Sequence, residues 1–211
     1  MKHTYQVRLT ALALAMATCA AQATTILNGS FESPLVTSNT AESGTPYSWT
    51  SGSSTGFIFN GLVPNVPDGN WPGPQDGQQF VDIGNTSSYS LSQSFTITIP
   101  GVYELAWFDN AFHLADTSPY RVTIVSSSLQ TILSADFNAA HGGDWFARME
   151  EITLPNDTYT LAFTPQGLVK GFDTLLDNVA VTQIPESSGT LFAICGAIVL
   201  LCGRRRTLPL V

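Results

Sequence analysis

The chain has 211 residues, 44% of them hydrophobic, and sixteen acidic residues against eight basic ones, a formal net charge of −8. Five of the eight basic residues fall in two terminal stretches, 1–23 and 185–211. Residues 24–184 keep only Arg121, Arg148 and Lys170 against fifteen acids, a formal net charge of −12. A domain of that charge does not bind nucleic acid by neutralising phosphates, and anionic lipid surfaces repel it.

The first stretch reads as a secretory signal peptide. Lys2 and Arg8 supply the positive start, Leu9–Ala17 the apolar helix, and Ala21-Gln22-Ala23 a small-x-small cleavage site for signal peptidase at Ala23. Cys19 opens a lipoprotein alternative, but Thr18 is a poor residue before a lipidated cysteine.

Residues 24–184 number 161, which suits one domain with a real core. The three cysteines, Cys19, Cys195 and Cys202, all fall outside it. The domain therefore holds no disulfide even where its compartment would allow one.

Its pattern is all-β. Strand-like runs are expected at Phe57–Phe59 and Gln79–Ile83. From Leu91 to Ile99 residues alternate apolar and polar with one polar slip at Gln93. Pro100-Gly101 then turns the chain and Tyr103, Leu105 and Trp107 alternate again, which reads as a long hairpin. Further runs are Arg121–Val125, Gln130–Phe137, Trp145–Leu154, Tyr159–Phe163 and Asp173–Thr182, with Pro155-Asn156-Asp157 as a turn. Short strands at this spacing point to a two-sheet sandwich or jelly roll. Residues 38–56 read as loop-rich. Asn60–Gly77 holds four prolines, four glycines and Trp71, a long loop of the kind that carries function on β scaffolds.

The chain ends with Pro185-Glu186, a 13-residue apolar run from Thr190 to Cys202, and Arg204-Arg205-Arg206. A comfortable helical span needs about 20 apolar residues, so this C-terminal hydrophobic helix is short, and the arginines form a cytoplasmic plug. The composite resembles the PEP-CTERM sorting signal of Gram-negative bacteria. It departs at Ser187, where a second proline is common, and in the extra residues 207–211. The resemblance implies transient anchoring in the inner membrane through residues 190–202, cutting near Pro185-Glu186 by the membrane protease exosortase, and release to the cell surface or exopolysaccharide layer. A plain membrane anchor is the alternative.

Leu27-Asn28-Gly29-Ser30-Phe31-Glu32-Ser33-Pro34 opens the domain, and Leu175-Leu176-Asp177-Asn178-Val179-Ala180-Val181 closes it. Between them stand Asp76-Gly77-Gln78-Gln79-Phe80-Val81-Asp82-Ile83, Leu91-Ser92-Gln93-Ser94-Phe95 and Pro100-Gly101-Val102-Tyr103-Glu104-Leu105. Together these resemble the galactose-binding-like jelly rolls, among them the plant and bacterial cell-wall family called domain of unknown function 642. The resemblance implies a jelly-roll β-sandwich whose first and last strands lie close, with a structural calcium ion held by Glu32 and Asp177. Calcium wants six to eight oxygens, so carbonyls of residues 28–32 would have to contribute. The alternative is that both carboxylates simply accept hydrogen bonds.

Sugar binding needs aromatic faces and planar polar groups. The candidate ligand residues are Trp71, Asp109, Asn110 and His113 after the Trp107-Phe108 strand, and Trp145 in the His141–Trp145 loop. Trp107 reads as core. Catalysis has little to stand on. The two histidines of the domain are 28 residues apart, with no local metal spacing. There is no Gly-x-Ser-x-Gly elbow. Glu150 and Glu151 point to opposite faces of a strand and cannot share a substrate. The expectation is an exported, non-enzymatic matrix protein that binds extracellular polysaccharide. A structural matrix protein without a ligand, or a polysaccharide hydrolase, are the alternatives.

Overall fold

A computed structural model describes residues 26–52, 56–61, 73–83, 90–111, 117–140, 144–166 and 174–185. The expected signal peptide with Ala23, most of the expected sorting segment with Glu186, and the ligand candidates Trp71 and His113 lie outside the described residues. The strands all fall within Ala21–Ile184, one of two compact units of the chain.

In chain order they are β1 Thr40–Gly44, β2 Thr50–Ser51, β3 Gly56–Asn60, β4 Gln79–Asp82, β5 Leu91–Ile97, β6 Gly101–Ala111, β7 Thr117–Ser126, β8 Thr131–Ala140, β9 Phe146–Leu154, β10 Asp157–Pro165 and β11 Thr174–Gln183. Two sheets form, one in the order β1-β3-β4-β11-β6-β9 and one in the order β2-β5-β10-β7-β8. The pairings between neighbouring strands are antiparallel. Consecutive strands repeatedly change sheet, which is the winding of a jelly roll.

That winding corrects the hairpin expected at Pro100-Gly101. β5 pairs with β2 and β10, while β6 pairs with β11 and β9 in the other sheet. Alternation identifies two half-buried strands but cannot say whether they pair or face each other across the core. The Pro100-Gly101 and Pro155-Asn156 turns are both corners between sheets, and each is pinned in the same way. The Tyr103 hydroxyl donates to the Ile99 carbonyl (2.7 Å) and the Tyr159 hydroxyl to the Pro155 carbonyl (2.9 Å). β1 and β2 were hidden in the loop-rich reading of residues 38–56. β1 is Thr-Ala-Glu-Ser-Gly on a sheet edge, mostly exposed, and so carries no apolar face to announce it.

The core lies between the sheets, with Trp107, Tyr120, Phe163, Phe31, Leu105 and Leu161 among its fully buried members. Trp107 is enclosed as expected, edge-on to Phe137 and Phe163. Gln93, the polar slip, faces this core and is 5% exposed. Its amide accepts from the Leu27 N–H (2.7 Å) and donates to the Leu27 carbonyl (2.8 Å). A glutamine on an inward position thus acts as the ladder partner of the opening segment.

Candidate functional site

The opening and closing motifs meet. The Val179 N–H donates to the Gly29 carbonyl (2.9 Å). A Cβ on Gly29 would stand 2.0 Å from the Val179 carbonyl oxygen, so the approach admits only glycine. Asn28 folds the opening turn. Its Nδ2 donates to the carbonyls of Ser33 (2.7 Å) and Tyr47 (2.9 Å), and its Oδ1 accepts from the Ser33 N–H (3.0 Å).

Glu32 and Asp177 both grip the segment Gln75–Gln79. Glu32 Oε1 accepts from the N–H groups of Gln78 and Gln79, each at 2.7 Å. Asp177 Oδ2 accepts from those of Gln75 (2.8 Å) and Asp76 (3.0 Å), and Oδ1 from Asn178 (2.7 Å). Ser30 Oγ donates to Asp76 Oδ2 (2.6 Å), and Asn178 Nδ2 to Gln75 Oε1 (3.0 Å). Gly77 makes the bend with φ +66°, where a Cβ would collide with Glu32. Asp177 is fully buried. Burial pushes its carboxyl up to about 7; the three amides oppose this and the Asp76 charge adds to it.

A calcium ion would need these carboxylate oxygens to face a common cation among further oxygens. Here Glu32 Oε1 and both Asp177 oxygens face N–H donors, whose positive ends repel a cation, and among the described residues no three His, Cys, Asp or Glu side chains converge. In this arrangement Glu32 and Asp177 do not fit a calcium site. They fit the hydrogen-bonding alternative, with the Gln75–Gln79 segment lying where the resemblance would place the ion.

The ligand candidates divide between two faces. β6 continues to Ala111, so Asp109 and Asn110 lie within a strand and point to opposite sides. Asp109 faces the core and is fully buried. Its Oδ2 accepts from the Tyr120 hydroxyl (2.5 Å) and from Arg148 Nε (2.9 Å), while Trp107 Nε1 donates to the Tyr120 oxygen (2.8 Å). Desolvation raises the Asp109 carboxyl against the pull of both donors. The same burial, with the Asp109 charge, drives the Tyr120 phenol far up. Arg148 also donates to the Asn138 carbonyl (2.8 Å) and lies over Phe137. Asp109 is therefore the centre of a buried network and is closed to a ligand in this arrangement. Tyr120 and Arg148, which sequence reasoning passed over, complete that network.

Asn110 lies on the outer face of the six-stranded sheet but is fully buried there as well. The register lines up Phe57, Asp82, Leu175 and Asn110 across β3, β4, β11 and β6. Alongside, Phe59 stacks on Phe80 (centroids 5.2 Å, 9°) and Trp145 meets Phe80 edge-on (5.6 Å, 75°). Phe57, Phe59, Phe80, Leu175 and Trp145 thus form a second apolar cluster, apart from the main core. Asn110 Nδ2 donates to the Asp144 carbonyl (2.8 Å), and Trp145 Nε1 to the Gly73 carbonyl (2.7 Å). The structure therefore joins Asn110 and Trp145, and ties Trp145 to Gly73, two residues after Trp71 in the sequence. Pro185, where processing is expected, is exposed.

No family model and no curated protein matches the chain. Solved structures do. The chain resembles TmCBM61 in complex with β-1,4-galactotriose at 14% identity and TM-score 0.54, covering 77% of this chain and all of that one. It resembles the CBM22-1–CBM22-2 tandem domain of Paenibacillus barcinonensis Xyn10C at 15% identity and TM-score 0.51, over 82% of this chain and 50% of that one. It also resembles the enzymatically active domain of tailspike protein 4 of bacteriophage CBA120 at 14% identity and TM-score 0.51, over 76% of this chain and 21% of that one. At these identities the likeness is one of fold: the described residues between 26 and 184 build a jelly-roll sandwich like that of carbohydrate-binding modules.

Proposed function

We propose that the domain is a non-catalytic carbohydrate-binding module of an exported matrix protein. The observation that carries this is the likeness of the sandwich to the galactotriose-bound TmCBM61 domain, with the half-buried rings of Trp145 and Phe57 on the outer face of the six-stranded sheet as the aromatic candidates and the buried Phe59, Phe80 and Asn110 packed beneath them. Aromatic rings next to amide and carbonyl groups are what a pyranose needs for its apolar face and its hydroxyls. The galactotriose-bound neighbour makes a neutral β-linked galactan the first ligand to try. The delivery route proposed with it is cleavage at Ala23, transient anchoring through residues 190–202, and exosortase cutting near Pro185-Glu186.

A second reading is a structural matrix protein without a ligand. The enclosure of Asp109 and the hydrogen-bonded indole of Trp145 favour it. A glycan array that includes β-1,4-galactan separates the two. Binding that Trp71→Ala abolishes, with the fold intact by circular dichroism, supports the module. Silence on every glycan leaves the structural reading.

A further inference from the structure

β9 is an outer strand of its sheet; among the described residues it has one ladder partner, β6. An edge strand displays a row of backbone N–H and C=O groups that can pair with another chain unless charge, proline or shortness prevents it. Of the other described edges, β2 has two residues and β1 five that are mostly exposed and without a large apolar side chain. β8 has ten residues, but its one charge, Asp136, is closed onto Arg121 of its own sheet at 2.6 Å, so it offers a second copy no charge to read. β9 has nine residues with no proline or glycine, and it exposes Met149 (67%) and Phe146 (39%) to solvent.

We propose that β9 pairs antiparallel with β9 of a second copy of this chain, centred on Met149, so that the two six-stranded sheets continue as one. A two-fold axis makes such an interface self-complementary. Keeping inner face against inner face requires the axis to pass through a residue, because side chains alternate along the strand. Centring on Arg148 sets Arg148 against Arg148. Centring on Glu150 or Glu151 sets a glutamate against itself. Like charges directly opposite are destabilising. Centring on Met149 places Arg148 opposite the partner's Glu150 twice over, Phe146 opposite the partner's Ile152, and the two exposed methionines side by side on the axis.

Arg148 is suited to this. It is one of three basic residues in 24–184, and Asp109 and the Asn138 carbonyl hold its guanidinium in place while its side chain remains 27% exposed. Two acidic copies repel each other in general; β9 is a place where each offers the other a cation.

The test is sedimentation velocity of the full chain with Met149→Lys, together with oxidative cross-linking of Met149→Cys and Thr153→Cys in a background where Cys19, Cys195 and Cys202 are serine. Opposed strand residues lie within disulfide reach. The pairing predicts a dimer, a monomer for Met149→Lys with unchanged circular dichroism and a melting temperature that no longer rises with protein concentration, and cross-linking at position 149 but not at 153. A native monomer, a dimer that survives Met149→Lys, or equal cross-linking at both positions overturns it.

Discussion

Replacing Asp177 by asparagine separates a buried carboxylate clamp from a neutral one. Burial moves the Asp177 carboxyl from its ordinary 3.8 to about 7 in the folded chain. The folded state therefore holds this proton more tightly than the unfolded state. Its contribution is fully present below pH about 4, where both states are protonated, and is lost as pH rises through about 7. At roughly 1.4 kcal/mol per pH unit the loss amounts to about 4 kcal/mol. An amide in its place cannot ionise, so this slope disappears. The amide oxygen can still accept from Gln75 and Asp76, but an NH2 then faces the Asn178 N–H, which costs about 1–3 kcal/mol. Asp177→Asn is thus expected to be less stable than the native chain at pH 4 and equal or more stable at pH 8. Urea denaturation followed by tryptophan fluorescence at half-unit steps gives both curves, and other titrating groups cancel in their difference. Parallel curves would refute the reasoning.

Chelator is expected to leave the melting temperature unchanged, whereas Glu32→Ala lowers it with or without added calcium. Two amides lose their acceptor, a cost of about 1–3 kcal/mol, or several degrees for a domain of this size; calorimetry with and without EDTA decides. Gln93→Leu keeps the volume but strands both polar groups of Leu27. It should cost about 2 kcal/mol and speed hydrogen exchange at residues 26–31 more than in β10. Trp145→Phe removes the bond to Gly73 while keeping an aromatic ring on Phe80. A loss near 1 kcal/mol is expected by urea denaturation, against about 3 kcal/mol or more for Trp145→Ala.

The sandwich was legible because its central strands bury one face each, and period-two alternation reports that directly. Leu91–Ile97 and Tyr103–Trp107 are clear cases. β1 was not legible, since an exposed edge strand has no apolar face, and the partners of β5 and β6 were not, since alternation carries no pairing information. The junction of opening and closing motifs was implied by the family resemblance, through Glu32 and Asp177; the role of Gly29 was not. What occupies it was not: the donors that fill the carboxylates are backbone N–H groups of residues 75–79, which no residue type reveals. The opposite orientation of Asp109 and Asn110 followed from how far β6 runs, and strand ends are poorly marked when the last residues are polar but buried.

The proposal that this jelly roll is a carbohydrate-binding module is tested most directly by equilibrium binding of the purified chain to β-1,4-galactan and to the ligands found on a glycan array, beside Trp71→Ala. The account predicts saturable binding to at least one neutral glycan that Trp71→Ala removes without altering the melting temperature. No saturable binding to any glycan would contradict it; binding indifferent to Trp71 would move the site away from Trp71 and toward Trp145 and Phe57.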